Sequence, residues 1–121
     1  MCGIIGIIQK NVLFHLFEGI KQLQNRGYDS AGLSYFNKIN QEFTTFKYAS
    51  TDDETAIDKL KPIIEKHDEQ KLYCGIAHTR WATHGGKTDK NSHPHVSYNG
   101  KFVLVHNGII NNFKELKNKL I

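Results

Sequence analysis

The sequence predicts one α+β domain in which antiparallel strands are covered by helices. Three observations support this fold class. The chain has 121 residues, which is the size of one domain with one core. Hydrophobic residues make up 39% of it, as in ordinary globular proteins. Segments of strand composition also alternate with segments that carry apolar residues at helical spacing.

The first part of the chain is predicted to form a strand, a helix and a hairpin. Gly3–Ile8 is a short apolar run, which favours a buried strand. The segments Gly32–Phe36 and Glu42–Tyr48 are rich in aromatic and β-branched residues, and the turn Asn37–Gln41 between them indicates a β-hairpin. Between the first strand and the hairpin, an apolar stripe at helical spacing predicts a helix with Leu13, Leu16, Phe17, Ile20 and Leu23 on one face.

A second helix is predicted after the hairpin. Thr51 followed by Glu54 has the spacing of a capping box, which marks a helix start. Pro62 lies inside the stripe, and because proline interrupts helical hydrogen bonding we expect a kink or two helical pieces there. The apolar stripe of this helix is predicted to contain Ala56, Ile57, Leu60, Ile63 and Ile64.

Two strands, a loop and a last helix are predicted in the second half. Leu72–His78 and Phe102–His106 have the composition of buried strands, and the polar segment His78–Asn91 indicates a loop. Asn111 or Asn112 is expected to cap the last helix. The apolar face of that helix would carry Phe113, Leu116 and Leu120.

Charge and cysteine content argue against several classes of protein. The formal net charge is +4, but the lysines are spread along the chain, so we expect no nucleic-acid partner. Cys2 and Cys74 are too few for a secreted disulfide scaffold. The apolar runs are too short to cross a bilayer, and no secretory signal is evident. We therefore expect a cytoplasmic protein without a membrane partner.

The position of Cys2 gives it chemistry that an internal cysteine lacks. An initiator methionine is usually removed when a small residue follows, so the mature chain is expected to begin at Cys2. An N-terminal nucleophile carries its own general base, the α-amine, which acts directly or through one water. Taken alone, the position of Cys2 favours a simpler explanation, a small residue at the start of a buried strand.

The segment around Arg80 contains groups suited to an amino-acid ligand. The guanidinium of Arg80 can bind an α-carboxylate through two parallel hydrogen bonds, and Trp81 follows directly. Thr83 and His84 could add hydrogen bonds in the same pocket. The alternative is a surface arginine stacked on a tryptophan, with a solvated histidine nearby.

The dipeptide Asn107-Gly108 follows a predicted strand and has two interpretations. The side-chain amide of Asn107 and the backbone N–H of Gly108 could converge on an oxyanion during attack on a carbonyl. Asn-Gly is also the strongest short signal for a β-hairpin, so the pair could simply turn the chain. Taken alone, the dipeptide favours the turn over the oxyanion hole.

Histidines in the second half raise the alternative of a zinc site. Their spacing does not match the usual zinc patterns, and His93 and His95 are too close in sequence for a helical site. Gly86-Lys87-Thr88 looks like the end of a phosphate-binding loop, but Trp81 stands where that motif needs glycine. We therefore expect no metal and no cofactor. The histidines concerned are His78, His84, His93, His95 and His106.

Together, the motifs resemble the class II (N-terminal nucleophile) glutamine amidotransferases. The resemblance is closest to the members that transfer ammonia to fructose 6-phosphate and make glucosamine 6-phosphate. Ordered motifs of this length are specific, and they favour the catalytic interpretations over the alternatives above. The matching stretches are Met1–Gly6 (MCGIIG), Arg26–Gly32 (RGYDSAG), Gly75–Gly85 (GIAHTRWATHG), His93–His95 (HPH) and Val105–Ile110 (VHNGII).

The resemblance implies a role for each candidate residue. Cys2 attacks the side-chain amide of L-glutamine, and a thioester intermediate leads to glutamate and ammonia. Asn107 and Gly108 form the oxyanion hole. Arg80 holds the α-carboxylate of glutamine, and Asp29 shapes the pocket. The other substrate-binding residues implied by the resemblance are Trp81, Thr83, His84 and His93.

The resemblance also implies a fold and an extent. The family fold is a four-layer α-β-β-α sandwich, and residues 1–121 would form only its N-terminal part, a partial glutaminase domain. We expect the remainder of that domain, its Ser/Thr-Asp-Thr-Glu segment and the sugar-phosphate domain that accepts ammonia in cis to be absent here. The alternative is a truncated, inactive remnant that binds glutamine or a partner chain, and either form could be a homo-oligomer.

Overall fold

The computed structural model of the chain describes residues 2–23, 29–67, 72–81 and 86–121. Strands and helices alternate along these residues, which confirms the α+β class predicted from the sequence. The elements are β1 (Gly3–Ile8), α1 (Val12–Leu23), β2 (Ser30–Asn37), β3 (Glu42–Ala49), α2 (Ala56–Glu65), β4 (Leu72–Arg80), β5 (His95–Val96), β6 (Val103–Leu104) and α3 (Phe113–Leu120).

A four-stranded antiparallel sheet organises the described part of the chain. Its strand order is β1-β4-β2-β3, so β4 lies between β1 and β2. Gly3 pairs with Thr79 across the first junction, and Ser30 pairs with Arg80 across the second. The start of β1, the start of β2 and the end of β4 therefore lie at the same end of the sheet. The residues that flank these strand ends meet there: Cys2, Asp29 and Trp81.

The helices α1 and α2 contact the sheet and each other, and the hydrophobic core lies between them and one sheet face. The apolar stripes predicted for α1 and α2 face this core, although Leu23 and Ile63 are only partly buried. Burial of one such aliphatic or aromatic side chain stabilises the fold by about 1.5–3 kcal/mol. The helical core residues include Leu13, Leu16, Phe17 and Ile20 of α1 and Ala56, Ile57, Leu60 and Ile64 of α2.

On the other face of the sheet, a glycine makes room for a crossing segment. His78, Gly32 and Lys47 are cross-strand neighbours on β4, β2 and β3. Because Gly32 has no side chain, the backbone carbonyl of His93 lies directly against it. Lys47 Nζ holds the same segment by donating to the carbonyl oxygen of Ser92 at 2.9 Å. The segment around His93 is thereby fixed beside His78.

Replacing Gly32 by Ala is expected to lower the free energy of unfolding by about 1–3 kcal/mol, the usual effect of overpacking. The added Cβ would overlap the carbonyl oxygen of His93 and lie 2.7 Å from the Cβ of Lys47. Gly6→Ala in β1 is the matched control, since a Cβ there meets no described atom within 4 Å. Urea unfolding measures both variants, and equal losses would contradict the close approach of the His93 segment.

The start of α2 differs from the sequence prediction. The N-cap is Thr55, whose Oγ1 accepts from the backbone N–H of Asp58 at 3.2 Å. The carboxylate of Asp58 in turn accepts from the N–H of Thr55 at 3.1 Å, which completes a capping box. The predicted box of Thr51 and Glu54 was therefore wrong. The two residues instead close a turn before the helix, in which Glu54 N–H donates to Thr51 Oγ1 at 3.2 Å.

Two further predictions need correction. Of the two outcomes predicted for Pro62, the division into two pieces was wrong, because α2 runs as a single element from Ala56 to Glu65, and the kink stays a prediction. The predicted loop after residue 78 begins later, since β4 extends to Arg80. Strand pairing with β1 and β2 on both sides of β4 accounts for this extension.

The C-terminal segment is more exposed than the sequence suggested. Instead of a buried strand over Phe102–His106, only Val103–Leu104 pairs, with β5, and Leu104 is 54% exposed. Asn112 is the N-cap of α3, one of the two predicted positions, but its side chain makes no capping hydrogen bond. None of the residues of α3 is buried. In the described part of the chain, every helix falls short of the length or apolar character of a membrane span.

Candidate active site

Cys2 is held by backbone groups at the shared end of β1 and β4. The backbone N–H of Trp81 donates to Cys2 Sγ at 3.3 Å, and the carbonyl oxygen of Trp81 lies 3.7 Å from Sγ, where it can accept from the thiol. The pairing of Gly3 with Thr79 fixes this neighbourhood, and Thr79 Oγ1 also accepts from Gly3 N–H at 3.2 Å. When the thiol loses its proton, the Trp81 N–H remains as a donor to the sulfur.

Asn107 reaches back to Cys2 from the far end of the described chain. Its Nδ2 donates to the carbonyl oxygen of Cys2 at 2.9 Å, and its Oδ1 lies 2.7 Å from Nε2 of His78. A carbonyl oxygen can only accept, so Nδ2 must face Cys2 and Oδ1 must face His78. Nδ2 carries a second N–H beside the nucleophile, which it can offer to a substrate oxygen.

The backbone conformation at residue 108 favours glycine. Its φ of +157° is one that L side chains rarely adopt, so a substitution there is strained. After β6 the chain passes through Asn107-Gly108 to α3 and not to a paired strand. The hairpin interpretation of this dipeptide was therefore wrong, and the contact of Asn107 with Cys2 supports its use in the site.

Arg80 and Trp81 lie at the end of β4, beside Cys2. Arg80 Nη1 lies 3.4 Å from the carbonyl oxygens of Gly86 and Asn91, so it contacts the segment that follows the strand. The side chain of Trp81 is 52% exposed. Of the other predicted substrate ligands, residues 83 and 84 lie outside the described residues, as do residues 26–28 of the RGYDSAG motif.

Three imidazoles stack next to Asn107. The rings of His78 and His93 are nearly parallel with centroids 4.2 Å apart, and His95 packs against His93 at 4.4 Å. Burial is the main cause that lowers the pKa of all three histidines, and the pKa of His93 falls to about 3. His93 Nδ1 also accepts from the backbone N–H of His106 at 3.3 Å, which requires an unprotonated nitrogen. The stack is therefore neutral at pH 7.

Acidification is expected to destabilise the protein through this stack. Between the ordinary histidine pKa of 6.5 and the lowered value of about 3 at His93, the unfolded chain binds protons that the folded chain does not. The free energy of unfolding should therefore fall as the pH decreases through this range. Urea unfolding between about pH 7 and pH 4 measures the slope, and His93→Gln should reduce it. Equal slopes for the two proteins would contradict the prediction.

Metal chemistry finds no support in the described part of the chain. Nowhere in residues 2–23, 29–67, 72–81 and 86–121 do three or more His, Cys, Asp or Glu side chains form a group that could hold a metal ion. The stacked histidines instead pack against one another, and Nε2 of His78 is engaged with Asn107. The thiol of Cys2 accepts from one backbone N–H, that of Trp81, and the side-chain amide of Asn107 donates to the Cys2 carbonyl oxygen.

Comparison with known proteins identifies the family. A family model described as "Glutamine amidotransferases class-II" matches residues 1–120. The chain belongs to the class II glutamine amidotransferases. This confirms the family predicted from the motifs, and the antiparallel sheet and helices are consistent with its glutaminase domain.

The curated relatives are much longer than this amidotransferase chain. It is 43% identical over 122 residues to the glutamine–fructose-6-phosphate aminotransferase (isomerizing) of Lactococcus lactis, and 44% identical to that of Staphylococcus aureus strain Mu50. Each alignment covers 100% of this chain and 19% of the relative. The corresponding protein of Acinetobacter baylyi is 44% identical over 99% of this chain and 18% of its own length. The chain therefore spans about a fifth of these relatives.

His78 is a residue of the candidate site to which sequence reasoning gave no role. It was considered among the histidines that might ligate zinc and quoted within the Gly75–Gly85 motif, whereas the structure pairs it with Asn107. The available signal was strand alternation: in β4, His78 and Arg80 are two residues apart and so lie on the same face. A polar side chain that lies on the same face of the strand as Arg80, and near the same end, is therefore a candidate for the site.

Proposed function

We propose that this chain is the glutaminase part of an amidotransferase and hydrolyses L-glutamine to glutamate and ammonia at Cys2. The observation that carries the proposal is the contact of Asn107 Nδ2 with Cys2, made across 105 positions of sequence in a chain of this family. A thiol that accepts from a backbone N–H, in a residue whose own carbonyl oxygen accepts from a side-chain amide, suits attack on a carboxamide.

The reaction begins once Met1 has been removed and the α-amine of Cys2 is free. The amine takes the thiol proton, and the sulfur attacks the side-chain amide carbon of glutamine. The second N–H of Asn107 Nδ2 and the N–H of Gly108 stabilise the tetrahedral oxyanion. The C–N bond then breaks, and ammonia leaves with the proton held by the α-amine. A thioester between Cys2 and the glutamyl group remains.

Water completes the turnover. The α-amine, neutral again, takes a proton from a water molecule that attacks the thioester carbonyl, and the same donors stabilise the second oxyanion. The carbon–sulfur bond breaks, glutamate is released, and the thiol of Cys2 regains a proton. One glutamine and one water give one glutamate and one ammonia, so no cofactor is required.

The remaining site residues hold the substrate. Arg80 binds the α-carboxylate of glutamine, since its planar guanidinium can donate two parallel hydrogen bonds. Trp81 lines the site, and its exposed side chain leaves it free to cover bound glutamine. The residues proposed to complete the contacts with glutamine are Thr83, His84 and His93.

The ammonia has a proposed destination. The relatives are glutamine–fructose-6-phosphate aminotransferases, and this chain spans about a fifth of their length. We therefore assign the ammonia to fructose 6-phosphate on a sugar-phosphate domain in cis, with glucosamine 6-phosphate as product. The complete glutaminase domain is proposed to be a four-layer α-β-β-α sandwich in a cytoplasmic protein.

Labelling with the glutamine analogue 6-diazo-5-oxo-L-norleucine tests the function directly. Intact-mass and peptide analysis should find Met1 absent and one adduct on Cys2, with Cys74 near the start of β4 unmodified. Glutamine should release ammonia before labelling and none afterwards. A protein that neither releases ammonia nor takes up the label is the inactive remnant, and a retained Met1 in an active protein excludes the amine as base.

A further inference from the structure

We propose that His78 is a positioning residue, which holds the side-chain amide of Asn107 in the orientation that stabilises the oxyanion. The inference rests on the proposed glutaminase function and deepens it. His78 touches neither Cys2 nor the reacting atoms in this arrangement, and it acts through its hydrogen bond to Asn107 Oδ1 at 2.7 Å.

The fold fixes His78 more firmly than it fixes Asn107. His78 is 1% exposed and lies in the third-last position of β4, with β1 on one side and β2 on the other. The ring of His93 stacks on it at 4.2 Å, and the backbone carbonyl of His93 lies against Gly32 on the neighbouring strand. Asn107, in contrast, lies outside the helices and strands and is exposed. The sheet therefore sets the position of His78, and the hydrogen bond from His78 orients the side chain of Asn107.

The hydrogen-bond pattern determines which atom carries the proton. Asn107 Oδ1 is an acceptor, so Nε2 of His78 must be the protonated nitrogen. Nδ1 of His78 is buried, and within the described residues no group donates to it or accepts from it. No competing partner in that part of the chain therefore favours the other tautomer. Two hydrogen bonds therefore follow one another. His78 Nε2–H donates to Asn107 Oδ1, and Asn107 Nδ2–H donates to the carbonyl oxygen of Cys2.

The orientation of Asn107 matters because its two ends have opposite effects on an oxyanion. With Nδ2 beside Cys2, the amide offers an N–H to the developing negative charge. If the side-chain amide of Asn107 rotated by 180° about its Cβ–Cγ bond, Oδ1 would face both the Cys2 carbonyl oxygen and the oxyanion. Both contacts would then be repulsive. The donor on His78 disfavours that rotation, since a turned amide would place Nδ2 against Nε2–H.

Kinetics of glutamine hydrolysis by the native protein that carries this chain test the proposal. His78→Phe keeps the ring and removes the donor, and kcat should fall by about tenfold to a hundredfold with KM nearly unchanged, because the oxyanion forms only after binding. His78→Gln places an N–H donor near the Nε2 position and should recover most of the lost kcat. His67→Phe is the matched control, since His67 packs between Tyr35 and Phe46 and makes no contact with the site.

A double-mutant cycle separates positioning from general stability. If His78 acts through Asn107, His78→Phe should have little further effect on kcat in the Asn107→Ala background. Full additivity of the two losses would overturn the proposal, as would an unchanged kcat in an active His78→Phe protein. Equal losses in His78→Gln and His78→Phe would also overturn it, because the donor would then be irrelevant.

The side-chain amide of Asn107 gives a readout that does not depend on turnover. Its two N–H resonances, assigned by loss of the signals in Asn107→Ala, should shift in His78→Phe and return toward their original positions in His78→Gln. Unchanged resonances in His78→Phe would overturn the proposal. Failure of the wild-type protein to release ammonia would overturn the glutaminase function instead, and the resonances would still decide whether His78 holds Asn107.

Discussion

Replacement of Cys2 by Ala is expected to reduce glutamine hydrolysis at least about ten-thousandfold, as the removal of a nucleophile does in other covalent hydrolases. The α-amine would remain, and so would the donors of Asn107 and Trp81, but no thioester could form. Glutamate release, measured with a coupled dehydrogenase, follows the loss. Binding of glutamine should be retained, because Arg80 and not the sulfur is expected to carry the affinity.

The controls for this variant use the other cysteine and a weaker nucleophile. Cys74 lies in β4, where it pairs with Ile8 at the end of β1 that is distant from Cys2. Cys74→Ala should therefore leave kcat unchanged. Cys2→Ser keeps the amine and supplies a poorer nucleophile, so its rate should lie between those of the wild-type and Cys2→Ala proteins. Wild-type turnover by Cys2→Ala would exclude the proposed mechanism.

Replacement of Asn107 by Ala is expected to lower kcat by about a hundredfold or more, the usual effect of removing one oxyanion donor. KM for glutamine should change little, because the lost hydrogen bond forms with the tetrahedral intermediate and not with the bound amide. Asn107→Asp should be at least as severe, since a carboxylate would face both the Cys2 carbonyl and the oxyanion. Steady-state kinetics over a range of glutamine concentrations separate kcat from KM.

Asn112→Ala is the matched control for the loss of an asparagine amide. Asn112 is exposed and makes no side-chain capping hydrogen bond to α3, so neither kcat nor stability should change. A rise in KM at constant kcat in Asn107→Ala would contradict the proposed role, because it would make Asn107 a ligand of the ground state. Unchanged kinetics in Asn107→Ala, which lacks the hydrogen bond to Cys2, would contradict the proposed role of Asn107 as well.

Local patterns were sufficient to predict much of the fold. The first strand was predicted with its observed bounds, Gly3–Ile8, and the stripe of the first helix is the buried face of α1. The start of the second helix was misplaced because Thr51 and Thr55 are each followed, three residues later, by an acidic residue. Glutamate is the usual capping-box partner, but the shorter Asp58 makes both hydrogen bonds here. Spacing alone could not choose between the two boxes.

The sequence predicted candidate residues for the site but not the contacts between them. The motifs named Cys2, Arg80 and Asn107, and the resemblance gave them roles. That Asn107 bonds to Cys2 depends on strand register and on the path of the chain after β6, which no local pattern contains. The pairing of His78 with Asn107 was missed for the same reason, since a histidine in a strand gives no sign of which loop residue will reach it.

The 105 positions between Cys2 and Asn107 also impose an order of assembly. During translation the thiol leaves the ribosome among the first residues, and its amide donor follows only when the chain is nearly as long as the one described here. Between these two moments the newborn polypeptide carries the proposed nucleophile without the amide donor that is proposed to act with it. The contact between Cys2 and Asn107 therefore forms only after the ribosome has made almost all of the chain described here.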